Sequence, residues 1–252
     1  MSAYHNRMRL SMPDKVFFLD KIPGTQILVD WGCADGTLIK LAREFIHPSV
    51  LCIGFDNDIT AIRKAQVQKV KNCRFVAAFA TTFLSDLDKD KRVKTILFSS
   101  ILHDCHTEVH DALLGLRKNP PKYIVIRDMC YEGPYDIAPG TFKFPADKAA
   151  NLDFTTKGNK RGRTLHQLLH SMYMDNWENE WREDYFSAPW QRIIDFCFQH
   201  GYRVFYDHKY LLPYIQVYAE KFHIDLAANH ITTHRQLILR RSKHDTCCAN
   251  EG

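Results

Sequence analysis

One run of residues near the start of the chain has the types and spacing for ligand chemistry: ILVDWGCADGTLIK, residues 27–40. An apolar stretch ends on an acid, Asp30. A turn bearing Gly32 and Gly36 follows, and a helix-like pattern begins at once. That order turns a strand end and its following backbone N–H groups toward a ligand. Gly32 allows a sharp turn or a close backbone approach, and Gly36 lets the helix pack near the strand. The string departs from G-x-G-x-x-G because Ala34 stands in its middle, a position that tolerates alanine if its φ is negative. Asp30 would repel a pyrophosphate and suits an ammonium group, so a dinucleotide-dependent dehydrogenase is the less favoured reading.

Three other groupings carry weaker signals. His103, His106 and His110 fall at i, i+3 and i+7 and would share one face of a helix. Imidazoles so spaced can bind zinc, but no second ligand cluster accompanies them, and no metal is expected. His103 alone suits a general base, since histidine titrates near neutral pH. Lys157, Lys160, Arg161 and Arg163 form a basic run that would meet nucleic-acid phosphates or simply be a solvated loop. Tyr173, Trp177, Trp181 and Tyr185 repeat at about helical spacing, as in a helix packed over a sheet.

The elements that must hold these residues follow from the apolar runs. QILVD (26–30), VLCIGFD (50–56), CRFVAAF (73–79), TILFSS (95–100) and KYIVIRD (122–128) read as strands. Helical patterns cover 37–46, 59–70 and 104–119. Such alternation indicates βαβ units and a parallel sheet buried on both faces. Residues 129–164 lose any period and gather glycine, proline and lysine, and 165–186 reads as an amphipathic helix; 129–186 is therefore expected to be an inserted lid. A helix at 190–200, strands at 202–208 and 234–241 and a helix between them complete the pattern.

The expected fold is α/β: a doubly wound, mostly parallel seven-stranded Rossmann-like sheet with helices on both faces. One domain is expected over 1–252, with an N-terminal helical segment in 1–24 and a disordered tail at 242–252. Composition agrees with a globular chain, 45% apolar and 25% charged. The excess of 34 Lys and Arg over 29 Asp and Glu, a net charge of +5, permits an anionic partner without implying one. No stretch has the length of a membrane span, and the first residues lack the apolar core of a secretory signal. Eight cysteines without a regular framework, three of them (Cys52, Cys73, Cys130) in or beside strand-like runs, read as small buried residues of a cytoplasmic protein.

The string VDWGCADG resembles the first motif of class I S-adenosylmethionine (SAM)-dependent methyltransferases, V-D-x-G-C-G-x-G. The family also carries an acid at the end of the second strand to hold both ribose hydroxyls. GFDND supplies Asp56, about 20 residues beyond the glycine turn. The resemblance implies SAM as cofactor, with Asp30, Gly32 and Cys33 around its methionine part and Gly36 among the cofactor-binding residues. Phe55 and Asp56 would hold the adenosine, with Ala80 or Thr81 by the adenine. SSILHDCH (99–106) resembles the -L-H-D- strand end of many small-molecule O-methyltransferases. It implies Ser99 beside the cofactor, Ser100 toward the acceptor, and His103 and Asp104 nearest the reaction. Arg127 and Asp128, at the fifth strand end, are the other acceptor-side candidates. The absence of D-P-P-Y and of a Pro-Cys pair after the fourth strand lowers the odds of methylation on adenine or guanine amines or at cytosine C5. A small hydroxyl- or amine-bearing acceptor is favoured slightly over RNA. The alternative is a degenerate SAM-fold protein that binds RNA or a partner without catalysis.

Overall fold

The computed structural model describes residues 10–102, 107–132, 188–220, 227 and 232–242. In chain order the elements are α1 (Met12–Lys15), β1 (Ile27–Trp31), α2 (Thr37–Ala42), β2 (Leu51–Asp56), α3 (Ile59–Val67), β3 (Cys73–Ala77), α4 (Ala80–Lys89), β4 (Lys94–Ser99) and α5 (Glu108–Gly115). They continue as β5 (Tyr123–Glu132), α6 (Trp190–Gln199), β6 (Tyr202–Tyr210), α7 (Pro213–Glu220) and β7 (Thr232–Arg241).

The seven strands form one sheet in the order β3-β2-β1-β4-β5-β7-β6. The ladders β3·β2, β2·β1, β1·β4 and β4·β5 are all parallel. The last strand runs the other way: the Arg241 amide donates to the Lys122 carbonyl (2.9 Å) and the Ser242 amide to the Gly201 carbonyl (2.8 Å). These bonds put the end of β7 beside the starts of β5 and β6, which is antiparallel pairing. The mostly parallel, seven-stranded sheet expected from the sequence is therefore present.

Alternation along each strand sorts the side chains onto two faces. On one face Trp31, Phe55 and Phe98 cluster with Phe83 of α4; the Phe55 and Phe83 rings stack at 4.5 Å. On the other, Leu28, Cys52, Leu97 and Val125 pack with Phe18, with Leu38 and Ile39 of α2, and with Ile62 and Ala65 of α3. Helices thus cover both faces. The order reverses direction between β1 and β4, and in open α/β sheets ligands bind at the carboxyl ends of the strands at such a switch point.

Contacts gather the chain into two compact units. The larger comprises 11–128, 188–208 and 236–252, and the smaller 1–10, 129–187 and 209–235. All of the site geometry described below belongs to the larger unit.

Several boundaries differ from the sequence reading. The helix α4 lies where no helix is expected from the pattern, because only Phe83, Leu84 and Leu87 of it are buried and, Ala80 apart, the rest is polar. The strand β5 runs to Glu132, through Met129 and Cys130, so residues 129–132 of the expected insertion belong to the sheet. Within the N-terminal segment expected to be helical over 1–24, the described helix is one turn, Met12–Lys15, followed by turns through Lys21. Helices α2 and α5 are shorter than their patterns, at 37–42 and 108–115. Of the lid expected over 129–186, residues 133–186 lie outside the described residues; of the tail expected over 242–252, Ser242 is described, its amide donating to the Gly201 carbonyl, and residues 243–252 lie outside. Among the described residues no helix is long and apolar enough to cross a membrane.

Candidate functional site

Register decides which residues meet. Asp30 pairs with Gly54 and with Leu97, and Ser99 pairs with Arg127. With a side-chain period of two, Asp30, Asp56, Ser99 and Arg127 lie on one face, at the carboxyl ends of four neighbouring strands. The two acids singled out by spacing therefore do converge on one corner of the sheet.

Asp30 is 2% exposed. Among the described residues its Oδ2 has no hydrogen-bond partner, and neither has the Ser99 hydroxyl. Burial raises the Asp30 carboxyl from 3.8 to about 7; the Lys15 ammonium opposes that rise and the Asp56 charge adds to it. Native folds rarely leave a buried carboxylate oxygen unmatched, so a cation-bearing ligand is the natural complement to this one.

Asp56 is partly exposed and ties the corner together. Its Oδ2 accepts from the Ala34 amide (2.8 Å) and its Oδ1 from the Asp58 amide (2.9 Å). Each carboxylate oxygen can take a second donor, which leaves capacity for a pair of hydroxyls. Asp58 in turn caps α3 by accepting from the Thr60 and Ala61 amides.

The turn between β1 and α2 holds itself closed. The Gly32 and Cys33 amides both donate to the Phe55 carbonyl (2.8 and 3.1 Å), and the Gly36 amide to the Cys33 carbonyl (2.9 Å). The expectation that these N–H groups face a ligand is corrected here, since the protein itself consumes them. Gly32 (φ 75°) and Gly36 (φ 73°) are both left-handed. A Cβ on Gly32 would meet Ile101 Cγ2 at 2.9 Å, and one on Gly36 would meet the Phe75 ring at 2.3 Å. The close approach at Gly32 is therefore that of Ile101. Ala34 has φ 47°, not the negative value that would make alanine easy there, a conformation costing an L-residue about 1–2 kcal/mol.

Other sequence candidates occupy structural places. The Cys33 thiol is buried against Gly54, and burial pushes its pKa up. The Phe55 ring points into the aromatic cluster, leaving only its backbone carbonyl at the turn. Ser100 (φ 61°) accepts from Arg127 Nη1 through its hydroxyl (2.6 Å). Arg127 is 3% exposed; its Nε donates to Asp14 Oδ2 (2.7 Å), and its Nη2 lies in ion-pair contact with the same oxygen at 2.5 Å. Gln236 adds a bond to Asp14 Oδ1 (3.1 Å), so this network pins the N-terminal segment to β4, β5 and β7. Asp128 is fully buried and accepts from the Leu102 amide (2.6 Å). It fixes the backbone just before His103 and Asp104, which lie outside the described residues, as does the basic run 157–163. Thr81 is exposed on the first turn of α4.

One neighbour was missed from sequence. Phe79, which precedes α4 just past β3, is 85% exposed, an unusual state for a large aromatic beside a strand end. Its position next to Ala80 and Thr81 was the available signal. Among the described residues no group of three or more His, Cys, Asp or Glu is placed to hold a metal.

No protein-family model matches the sequence, and no curated protein matches it significantly. Solved structures do match. A SAM-dependent methyltransferase from Archaeoglobus fulgidus aligns with TM-score 0.54 at 16% identity, over 93% of this chain and 94% of its own. A SAM-dependent methyltransferase from Mesorhizobium loti gives 0.51 at 14%, over 92% and 98%. The plantazolicin methyltransferase BpumL, in complex with a desmethyl-plantazolicin analog and S-adenosylhomocysteine (SAH), gives 0.53 at 12%, over 95% and 88%. The chain has the fold of the class I SAM-dependent methyltransferases. At such identities the likeness defines the fold, and the chemistry rests on the site itself.

Proposed function

We propose that this protein binds SAM at the carboxyl ends of β1 and β2 and transfers its methyl group to a small hydroxyl- or amine-bearing acceptor. The observation that carries the reading is the orphaned Oδ2 of Asp30, a buried carboxylate oxygen on the same sheet face as Asp56. The residues fit the cofactor. Asp30 would accept from the ammonium of the methionine part, which returns the carboxyl to its charged form. Asp56 would accept from the ribose diol on lone pairs that Ala34 and Asp58 leave open. Phe79 offers a flat apolar surface to the adenine, with Ala80 and Thr81 beside it, and the Ser99 hydroxyl is a further polar contact. SAM supplies an electrophilic methyl on a sulfonium. For its part the protein aligns an acceptor with the methyl–sulfur bond and excludes water, and in-line displacement rewards such positioning. His103 is the residue we assign to taking the acceptor's proton, with Asp104 next to it in sequence.

Ile101 over Gly32 and the self-bonded turn favour a second reading, a degenerate SAM-fold protein that no longer turns over and binds RNA or a partner. Calorimetric titration with SAH, joined to mass-spectrometric detection of SAH made from SAM with pooled small acceptors, separates the two. The enzyme reading predicts a dissociation constant of about 1–100 μM together with product. Tight binding without product for any acceptor supports the degenerate reading, and no heat at millimolar ligand overturns the enzyme reading.

A further inference from the structure

A second chemical feature sits at the opposite end of β2 from Asp56. Cys52 lies four residues upstream, about 13 Å along the strand at its usual rise. In the β2·β3 ladder it stands directly opposite Cys73, on the same face. Neighbouring strands are about 4.8 Å apart, inside the roughly 4.4–6.8 Å separation of Cα atoms that a disulfide bridges. The strand β3 is the edge of the sheet. Cys52 is fully buried, whereas Cys73 is partly exposed.

A guanidinium is aimed at this pair. Arg43 Nη1 donates to Cys52 Sγ (3.3 Å) and to the Val50 carbonyl (2.9 Å). Its Nη2 donates to the carbonyls of Ile46 (2.8 Å) and His47 (2.6 Å). These bonds fix the cation against the Cys52 sulfur, one strand away from Cys73, and a nearby cation favours the thiolate form. The Cys52 thiol hydrogen-bonds to Cys73, which lowers the Cys73 pKa against the opposing effect of partial burial, with the Arg43 charge adding a smaller lowering; Cys52 itself is raised. The other described cysteines offer a contrast. Cys33, Cys130 and Cys197 are buried, and burial pushes Cys197 to about 12.

We infer that Cys73 and Cys52 form a thiol–disulfide exchange site that reacts with low-molecular-weight disulfides of the glutathione class. The Cys73 thiolate attacks one sulfur of glutathione disulfide, and a first glutathione thiolate leaves and takes up a proton. Cys52 then loses its proton and attacks the Cys73 sulfur, expelling the second glutathione. The two protein thiols are oxidised to one disulfide, and one glutathione disulfide is reduced to two thiols. The product staples the edge strand to its neighbour and leaves Asp30 and Asp56 untouched, so the inference stands apart from the proposed methyl transfer.

The test treats the full-length protein with glutathione disulfide, blocks remaining thiols at intervals and maps every cysteine by non-reducing peptide mass spectrometry. The expected result is a Cys52–Cys73 cross-linked peptide, with Cys73 lost at least tenfold faster than Cys33, Cys130 or Cys197. The oxidised protein should melt about 5–10 °C higher than the reduced one. Cys52→Ser should accumulate glutathione on Cys73, and Cys73→Ser should abolish both the adduct and the cross-link. The wild-type map decides the matter even if a variant fails to fold. Reaction at Cys73 that stops at the glutathione adduct, or Cys73 reacting no faster than the buried thiols, would overturn the inference.

Discussion

Replacing Asp30 by asparagine separates what this carboxyl costs the fold from what it gives a ligand. Burial holds its pKa at about 7 against 3.8 for the free group. Because the folded value lies above the unfolded one, the folded protein binds the extra proton between about pH 4 and 7, and stability falls as pH rises through that window. Three units at 1.36 kcal/mol each put the full cost near 4 kcal/mol, of which more than half, about 2–3 kcal/mol, develops between pH 5 and pH 8. An asparagine side chain is nearly isosteric with the carboxyl and does not titrate. Urea unfolding of the ligand-free wild type and of Asp30→Asn, at both pH values, should therefore show the variant gaining about 2–3 kcal/mol on the wild type between pH 5 and pH 8. The same variant should bind SAH about 10–100-fold more weakly, since a charge-assisted bond to the ammonium is lost. A stability difference that does not change with pH, or a variant that loses ground at pH 8, would show that Lys15 or another cation already satisfies the carboxylate. The reasoning that makes Asp30 a waiting ligand would then fail.

Three further outcomes follow from the corner's geometry. Phe79→Ala should weaken SAH binding about tenfold, as loss of one stacking surface does, while the melting temperature stays within about 1 °C because the ring is already exposed; unchanged affinity by calorimetry would remove Phe79 from the site. Ala34→Gly should relieve the left-handed strain and raise stability by about 0.5–1 kcal/mol in urea unfolding, and a loss would mean the methyl packs usefully. Asp14→Ala strands the buried Arg127 guanidinium and should cost about 3–5 kcal/mol, read as a lower urea midpoint; a loss under about 1 kcal/mol would show that the pair is not a buried one.

The sheet was readable from sequence because parallel strands buried on both faces appear as unbroken apolar runs, as ILVDW and TILFS do. The convergence of Asp30 and Asp56 was readable from their spacing as well, since two successive βα corners of a parallel sheet open at the same end. What the chain concealed depends on contacts between distant residues. Nothing local marks Asp14 as the partner of Arg127, 113 positions away. The placing of Ile101 over Gly32 follows from the path of the chain after β4, not from its composition. Helix α4 was hidden by its polar surface, which shows only three buried positions. The Cys52–Cys73 pairing is a matter of strand register, which no cysteine spacing records.

A crystal structure of the protein with SAH bound tests the cofactor site most directly. The expected complex has the ligand's amino group within about 3.2 Å of Asp30 Oδ2 and its ribose hydroxyls on Asp56, with Ile101 turned away from the turn to admit it. SAH lodged elsewhere, or crystals soaked in millimolar ligand in which Ile101 still covers Gly32 and Asp30 stays unmatched, would contradict it.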